Sequence, residues 1–310
     1  MSSKEMVESA ICRSPLLHIP VLTTEVLEIL QPERGGIFID ATTGTGGHTL
    51  ALLERGGEKI ELVFSLDKDR SSLEVARQRL QRFSKRVLFS EGDFRHLKVL
   101  ATSFGLNAVD GILYDLGLSG YLLKRPERGF SFQKEGPLDM RFDQTRGPTA
   151  YQLLATLSEK ELADIFYRYG EIRESRLLAR RIKETQHSFP LATTTSLAEI
   201  ARQALKDHRK IDPATRVFQA LRIAVNDELQ SLSDSLPQAV ELLKPEGRLV
   251  VISYHSLEDR IVKYFLRDSP WLKVLTRKPI RPTQEEVFLN PASRSAKLRA
   301  AVKLSRFDAA

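Results

Sequence analysis

Four acidic residues follow short apolar runs. Asp40 closes Ile37-Phe38-Ile39, Asp67 closes Leu62-Val63-Phe64-Ser65-Leu66, Asp93 comes shortly after the weaker run Arg86–Phe89, and Asp115 closes Gly111-Ile112-Leu113-Tyr114. A carboxylate at such a place can accept hydrogen bonds from both hydroxyls of a ribose, which suits Asp67. It can also accept from an adenine amino group, which suits Asp93 with Phe94 against the ring. Asp115 stands where the reactive end of a cofactor would meet a substrate. Each acid alone could as well be a helix cap or a surface charge, and Phe94 a core aromatic. Four in succession make coincidence the weaker explanation. After Asp40 comes Ala41-Thr42-Thr43-Gly44-Thr45-Gly46-Gly47-His48. Glycines there let backbone approach a ligand, and a following helix directs free N–H groups at it. The glycines fall as G-x-G-G rather than G-x-G-x-x-G, which disfavours a nucleotide-dependent oxidoreductase. A tight turn with no ligand stays open.

The four acids are 27, 26 and 22 residues apart. That period fits repeated strand–helix units building a parallel sheet, with helices over Gly44–Glu54 and Ser71–Arg82. The rhythm stops near Gly120. From there to Pro213 the pattern is helices and loops without a strand, with capping boxes at Ser158–Glu161 and Ser196–Glu199. One or two helices follow over Ala214–Leu243. Arg248–Ser253 reads as a buried strand, Ser256–Asp259 as a helix start and Ala300–Leu304 as a last strand. The expected organisation is a flexible tail over 1–17, an α/β domain from 18–119 and 214–310, and a helical insertion over 120–213.

The chain has 310 residues, 42% hydrophobic and 28% charged, enough for about two domains and a real core. This composition excludes disorder, collagen and a disulfide scaffold. The single cysteine, Cys12, cannot form an internal disulfide. No run approaches 18 apolar residues, and the acidic N-terminus is unlike a signal peptide. A cytoplasmic protein without membrane contact is expected. The net charge of +7 is matched by Lys273 to Arg306 alone, with nine basic and two acidic residues. Such a stretch suits a polyanion such as RNA or DNA, and a solvated basic tail is the other reading.

The strand-end acids and glycine turn resemble an S-adenosylmethionine-dependent methyltransferase, and further motifs narrow the likeness. In order come His18-Ile19-Pro20-Val21, the Asp40–His48 turn, Asp115-Leu116-Gly117-Leu118-Ser119, Arg128-Gly129-Phe130-Ser131-Phe132, Gly136-Pro137-Leu138-Asp139-Met140-Arg141, Pro213-Ala214-Thr215-Arg216, Asn226-Asp227-Glu228-Leu229, Ser253-Tyr254-His255-Ser256-Leu257-Glu258-Asp259-Arg260 and Asn290-Pro291-Ala292-Ser293-Arg294-Ser295. From about His18 to Leu304 the chain is similar to the bacterial 16S rRNA (cytosine-N4) methyltransferase family, RsmH or MraW. The resemblance implies a Rossmann-like class I methyltransferase sheet carrying a helical insertion. It implies methyl transfer from S-adenosylmethionine to the exocyclic N4 of a cytidine in the decoding region, on the assembled small ribosomal subunit. A second copy of the chain is a candidate partner, and no metal is expected. Carried over, Gly46, Gly47 and His48 match glycine-turn cofactor contacts, Asp67 the ribose acid, Phe94 an adenine-side contact and Asp115 the acid near the methionine moiety. The family usually reads D-L-G-V-S-S-P-Q-L-D after its fourth strand. Here Leu122 replaces the glutamine and Lys124 the last acid. Leucine cannot supply the amide's hydrogen bonds. A non-catalytic RNA-binding assembly factor on the same fold is the alternative.

Carbon-5 methylation of a pyrimidine normally needs a cysteine nucleophile, and Cys12 lies in the tail, which favours a nitrogen or oxygen acceptor. A cytosine amino group is a weak nucleophile because its lone pair is delocalised. An enzyme helps by accepting its hydrogen bonds and aligning nitrogen, methyl carbon and sulfur. Asp115, Asp139 and the Ser253-Tyr254-His255 turn are candidate acceptors, with His255 at the mouth. His255 as a structural histidine and Asp139–Arg141 as a structural ion pair stay open. The base must be unpaired or drawn out of its stack. Arg128, Arg141, Arg216, Arg294, Lys297 and Arg299 are candidate phosphate contacts. Phe130 and Phe132 are stacking surfaces or core.

Overall fold

The apolar runs become strands because both of their faces are covered. The computed structural model describes residues 20–205 and 212–305; the expected tail, with Cys12, and His18-Ile19 lie outside the described residues. The strands are β1 (Gly36–Asp40), β2 (Ile60–Asp67), β3 (Val87–Glu91), β4 (Val109–Asp115), β5 (Leu243–Ser253), β6 (Leu272–Val274) and β7 (Lys297–Lys303). They form one sheet in the order β3-β2-β1-β4-β5-β7-β6. The first five are parallel, and β7 runs antiparallel to both β5 and β6.

Around the sheet lie α1 (Thr23–Leu30), α2 (Gly47–Gly56), α3 (Arg70–Arg79), α4 (Leu97–Ser103) and α5 (Gly120–Leu123). The insertion supplies α6 (Ala150–Thr156), α7 (Glu159–Gly170), α8 (Ser175–Ser188) and α9 (Thr194–Ala204). Then come α10 (Ala214–Asn226), α11 (Glu228–Leu242), α12 (Ser256–Asp268) and α13 (Gln284–Leu289). Successive strand residues point to opposite faces. Ile39, Phe64, Ile112 and Val251 pack with Leu97, Leu236 and Val262 on one side. Phe38, Val63, Leu113 and Val250 pack with Val26, Leu52 and Leu53 on the other. Burial on both faces is why these strands read as continuous apolar runs rather than as alternation.

A third core belongs to the insertion and runs from Leu122 to Leu221. It continues past Pro213 into α10, whose Val217, Phe218 and Leu221 are buried in it. Asp227, in the left-handed conformation at φ 51°, separates α10 from α11. Two local expectations change. The capping box at Ser158 forms, with Glu161 returning to it. Ser196 is no cap, because Thr193 takes that role and accepts the Ser196 N–H (3.4 Å) while Thr194 is fully buried. The last strand starts at Lys297 rather than Ala300. Its partner β6, and α1, carry no clear sequence signal, since three and eight residues are too few for a period to show.

Candidate active site

The order of strands sets where a ligand fits. The chain leaves β1 towards β2 and β3, then returns to place β4 on the other side of β1. At that reversal the connections diverge and open a crevice beyond the carboxyl ends. Asp40 pairs in register with Leu113, and Asp115 with Ile252, so the ends of β1, β4 and β5 lie together. The Thr42 hydroxyl oxygen accepts the Asp115 N–H (2.6 Å) and bridges the two sides. The glycine turn lines the crevice through Gly44 and Gly47. Gly46 points elsewhere. Its φ is 79°, and a Cβ there would stand 3.0 Å from Leu80 and 3.2 Å from Ala76, so it lets the turn press against α3.

The crevice, about 1050 Å³ including its open mouth, brings together Gly47, His48, Asp67, Asp93, Phe94 and Asp115. Asp67 accepts the backbone N–H groups of Gly44 (2.7 Å) and Asp69 (2.8 Å), one on each oxygen. Each oxygen keeps a further lone pair for a sugar hydroxyl. Burial pushes this carboxyl up to about 7, against those two hydrogen bonds. Asp93 caps the short turn Phe94–His96 and pairs with Lys68 Nζ (2.9 Å). Phe94 stands edge-on to Tyr114 with centroids 5.6 Å apart.

Asp115 accepts a hydrogen bond from the Tyr254 hydroxyl (2.8 Å), and its other oxygen lies 3.4 Å from His48 Nε2. Burial, then the Asp115 charge, holds the Tyr254 hydroxyl well above its ordinary range, so it stays a donor. Both ring nitrogens of His48 are buried without a hydrogen-bond partner. A buried imidazole without a hydrogen-bond partner, beside the Asp115 carboxylate, calls for a polar ligand. These residues fit a nucleoside carrying a charged amino-acid arm.

Other expected residues do not line the crevice. His255 caps α12, with Nδ1 accepting the Glu258 N–H and Nε2 3.1 Å from the Glu258 carboxylate. Asp139 is clamped by Arg141 through two contacts of 2.9 Å. That pair keeps its carboxyl below the ordinary range in spite of burial. Arg128 is 2% exposed, and its terminal nitrogens donate to Asp69, Ser71, Arg141 O and Phe142 O. It therefore ties the insertion to the sheet domain rather than facing phosphate. Lys297 and Arg299 both pair with Asp259 (3.1 and 2.6 Å), and Arg299 is buried, which corrects their reading as phosphate contacts. Arg216 donates to Glu171 O, and Arg294 is exposed. Phe130 stacks on Phe142 and Phe132 meets Phe218 edge-on, both as part of the insertion core.

Crevice residues not named as candidate site residues include Thr42, Gly44, Lys68, Gly117, Glu228 and Glu258. Tyr254, considered only as part of its turn, directly follows β5, one place beyond where Asp40, Asp67 and Asp115 close their strands. Gly117 has φ 100°, and a Cβ there would stand 3.0 Å from the Tyr254 ring, so glycine lets that ring lie over the loop. Leu122 forms apolar wall at the position where the resembled family carries glutamine. Tyr254→Phe keeps the ring and removes one hydrogen bond to a carboxylate. If the chain transfers a methyl group as the resemblance implies, this substitution is expected to lower the single-turnover rate about tenfold, with cofactor affinity nearly unchanged; a cofactor-binding defect of the same size would assign Tyr254 to binding instead.

A family model described as the MraW methylase family matches residues 15–304. The chain is 48% identical over 307 residues to "Ribosomal RNA small subunit methyltransferase H" of Thermomicrobium roseum, covering 93% of this chain and 94% of that one. It is 50% identical to the protein of the same name from a Cyanothece species, covering 94% and 96%. It is 47% identical to that from Sorangium cellulosum, covering 94% and 92%.

Proposed function

The chain belongs to the MraW methylase family, and from that premise we propose that it transfers a methyl group from S-adenosylmethionine to the N4 of a cytidine in the decoding region of 16S rRNA, on the assembled small subunit in the cytoplasm. The observation that carries the reading is Asp115. It is fixed at the strand reversal between the Thr42 and Tyr254 hydroxyls, with β1 between its strand and that of Asp67.

The bound cofactor supplies a sulfonium methyl group. Asp67 would hold the ribose, Phe94 would flank the adenine and His48 would donate or accept at the amino-acid arm. Lys68 neutralises Asp93 and leaves that carboxylate's remaining lone pairs for the adenine amino group. Asp115 would accept an N–H of the target amino group, which localises the nitrogen lone pair and orients the base for attack on the methyl carbon. No base is needed before attack, because the methylated nitrogen gives up its proton readily. Asp115 Oδ2, the oxygen facing His48, receives it. Leu116 to Ser119 and Phe142 line the crevice around it.

The test is labelled methyl transfer to small subunits purified from cells lacking the modification, followed by nucleoside analysis. N4-methylated cytidine is expected. Label on carbon 5 or a ribose oxygen would refute the acceptor. No transfer with intact S-adenosylhomocysteine binding would favour a non-catalytic assembly factor.

A further inference from the structure

Two sets stand out among the basic residues at the C-terminal end. Lys297 and Arg299, on β7, are spent on Asp259. Arg277, Lys278, Arg281 and Arg294, on the connection between β6 and β7, are all exposed. Among the described residues none of these four side chains has an ion-pair or hydrogen-bond partner. Unpaired cations in one stretch keep their full attraction for a polyanion, whereas the Asp259 pair has already lost most of it.

Topology puts this connection beside the crevice. Because β7 is antiparallel to β5, its first residue, Lys297, pairs with Ser253, the last residue of β5 before Tyr254. The connection therefore emerges at the carboxyl end of the parallel strands. Ile280 exchanges backbone hydrogen bonds with Leu298 (3.0 and 2.9 Å) and anchors it there. A second tie runs to the rim: Glu286 Oε1 accepts the Leu22 N–H (2.7 Å), two residues after Pro20 of the crevice wall. Glu286 is thereby turned inward, and Glu285 is the connection's one exposed acid. Phe288 and Leu289 follow at 84% and 67% exposure. Phe288 is the most exposed large hydrophobic side chain among the described residues. An exposed aromatic on the same connection as unpaired cations matches how single-stranded RNA is held, by stacking a base while cations track its backbone.

We propose that the β6–β7 connection is the RNA clamp of this enzyme: Phe288 stacks a nucleotide flanking the target cytidine while Lys278, Arg281 and Arg294 contact its phosphates. The clamp rests on the rRNA-methylation reading above and specifies where that substrate is gripped.

Equilibrium binding of labelled small subunits, measured against salt, tests it alongside methyl transfer. The triple variant Lys278→Ala, Arg281→Ala, Arg294→Ala should weaken subunit binding at least about tenfold and flatten the log–log salt slope by about 2. Phe288→Ala should weaken it by about tenfold while leaving the salt slope alone. Both should retain kcat and S-adenosylhomocysteine affinity. A control triple, Arg34→Ala, Lys59→Ala, Lys85→Ala, removes the same charge from exposed positions at the amino ends of β1, β2 and β3. It should leave binding within about twofold of wild type, as distant cations are largely screened. Equal losses in the two triples, or none in either, would overturn the clamp while methylation by the wild type still stood. Wild-type binding that the clamp triple weakens, without any methyl transfer, would sink the functional reading and leave the clamp. Ultraviolet cross-linking should place a nucleotide adduct on the peptide spanning 282–294; cross-links there only to ribosomal protein would overturn the RNA assignment.

Discussion

Asp115→Ala is expected to slow single-turnover methyl transfer at saturating cofactor by about 10²–10³-fold, the usual loss when one group positioned for the transition state is removed. The same substitution should change S-adenosylhomocysteine affinity by less than about tenfold, because most of the crevice's remaining polar contacts come from other elements. Asp115 sits at the meeting of three elements: its N–H is held from the β1 turn, its carboxylate from the residue after β5, and its far oxygen faces α2. Rigidity of that kind is what near-attack alignment needs. Asp115→Asn keeps one carbonyl acceptor and should retain more activity than alanine. A near-normal rate in Asp115→Ala would remove this residue from the chemistry.

The second large effect concerns Asp67 and pH. Its carboxyl is raised from 3.8 to about 7 by burial. Between those values the folded protein keeps a proton that the unfolded chain has lost. The protonated group's contribution to stability is therefore complete below 3.8 and lost as pH rises through about 7. Binding runs the other way, since two ribose hydroxyls donate best to the ionised carboxylate. Cofactor affinity should be flat above about 7 and fall up to about tenfold per unit below it. Calorimetric titration of S-adenosylhomocysteine across this range checks the sign. Asp67→Asn should flatten the profile, and Asp67→Ala should weaken binding by about 10²-fold through the loss of two charge-assisted hydrogen bonds. A profile that is equally steep in the asparagine variant would place the titrating group elsewhere.

Much of the sheet was legible because a parallel strand buried on both faces must be an unbroken apolar run, and the polar residue after it marks the ligand end. Asp67 and Asp115 were visible on that ground, and so in principle was Tyr254 after β5. The cations were not legible in the same way. Arg128 meets Asp69 from 59 positions away, and Lys297 and Arg299 meet Asp259 from 38 and 40. Composition counts such charges as free, and only tertiary structure shows them neutralised. His255 could be misplaced for a local reason. As a cap with Glu258 three residues later it fits the reciprocal box usually made by serine or threonine, a role histidine seldom announces. The continuation of the insertion core into α10 was hidden because Pro213 looks like a boundary while Val217 and Leu221 give no sign of which core they join.

The most direct measurement is a crystal structure of the protein with S-adenosylhomocysteine. The prediction is one molecule in the crevice, its ribose on Asp67, its adenine by Phe94 and its sulfur turned towards Asp115. A crevice left empty while the compound binds elsewhere, or fails to bind, would contradict the assignment of this site and the mechanism built on it.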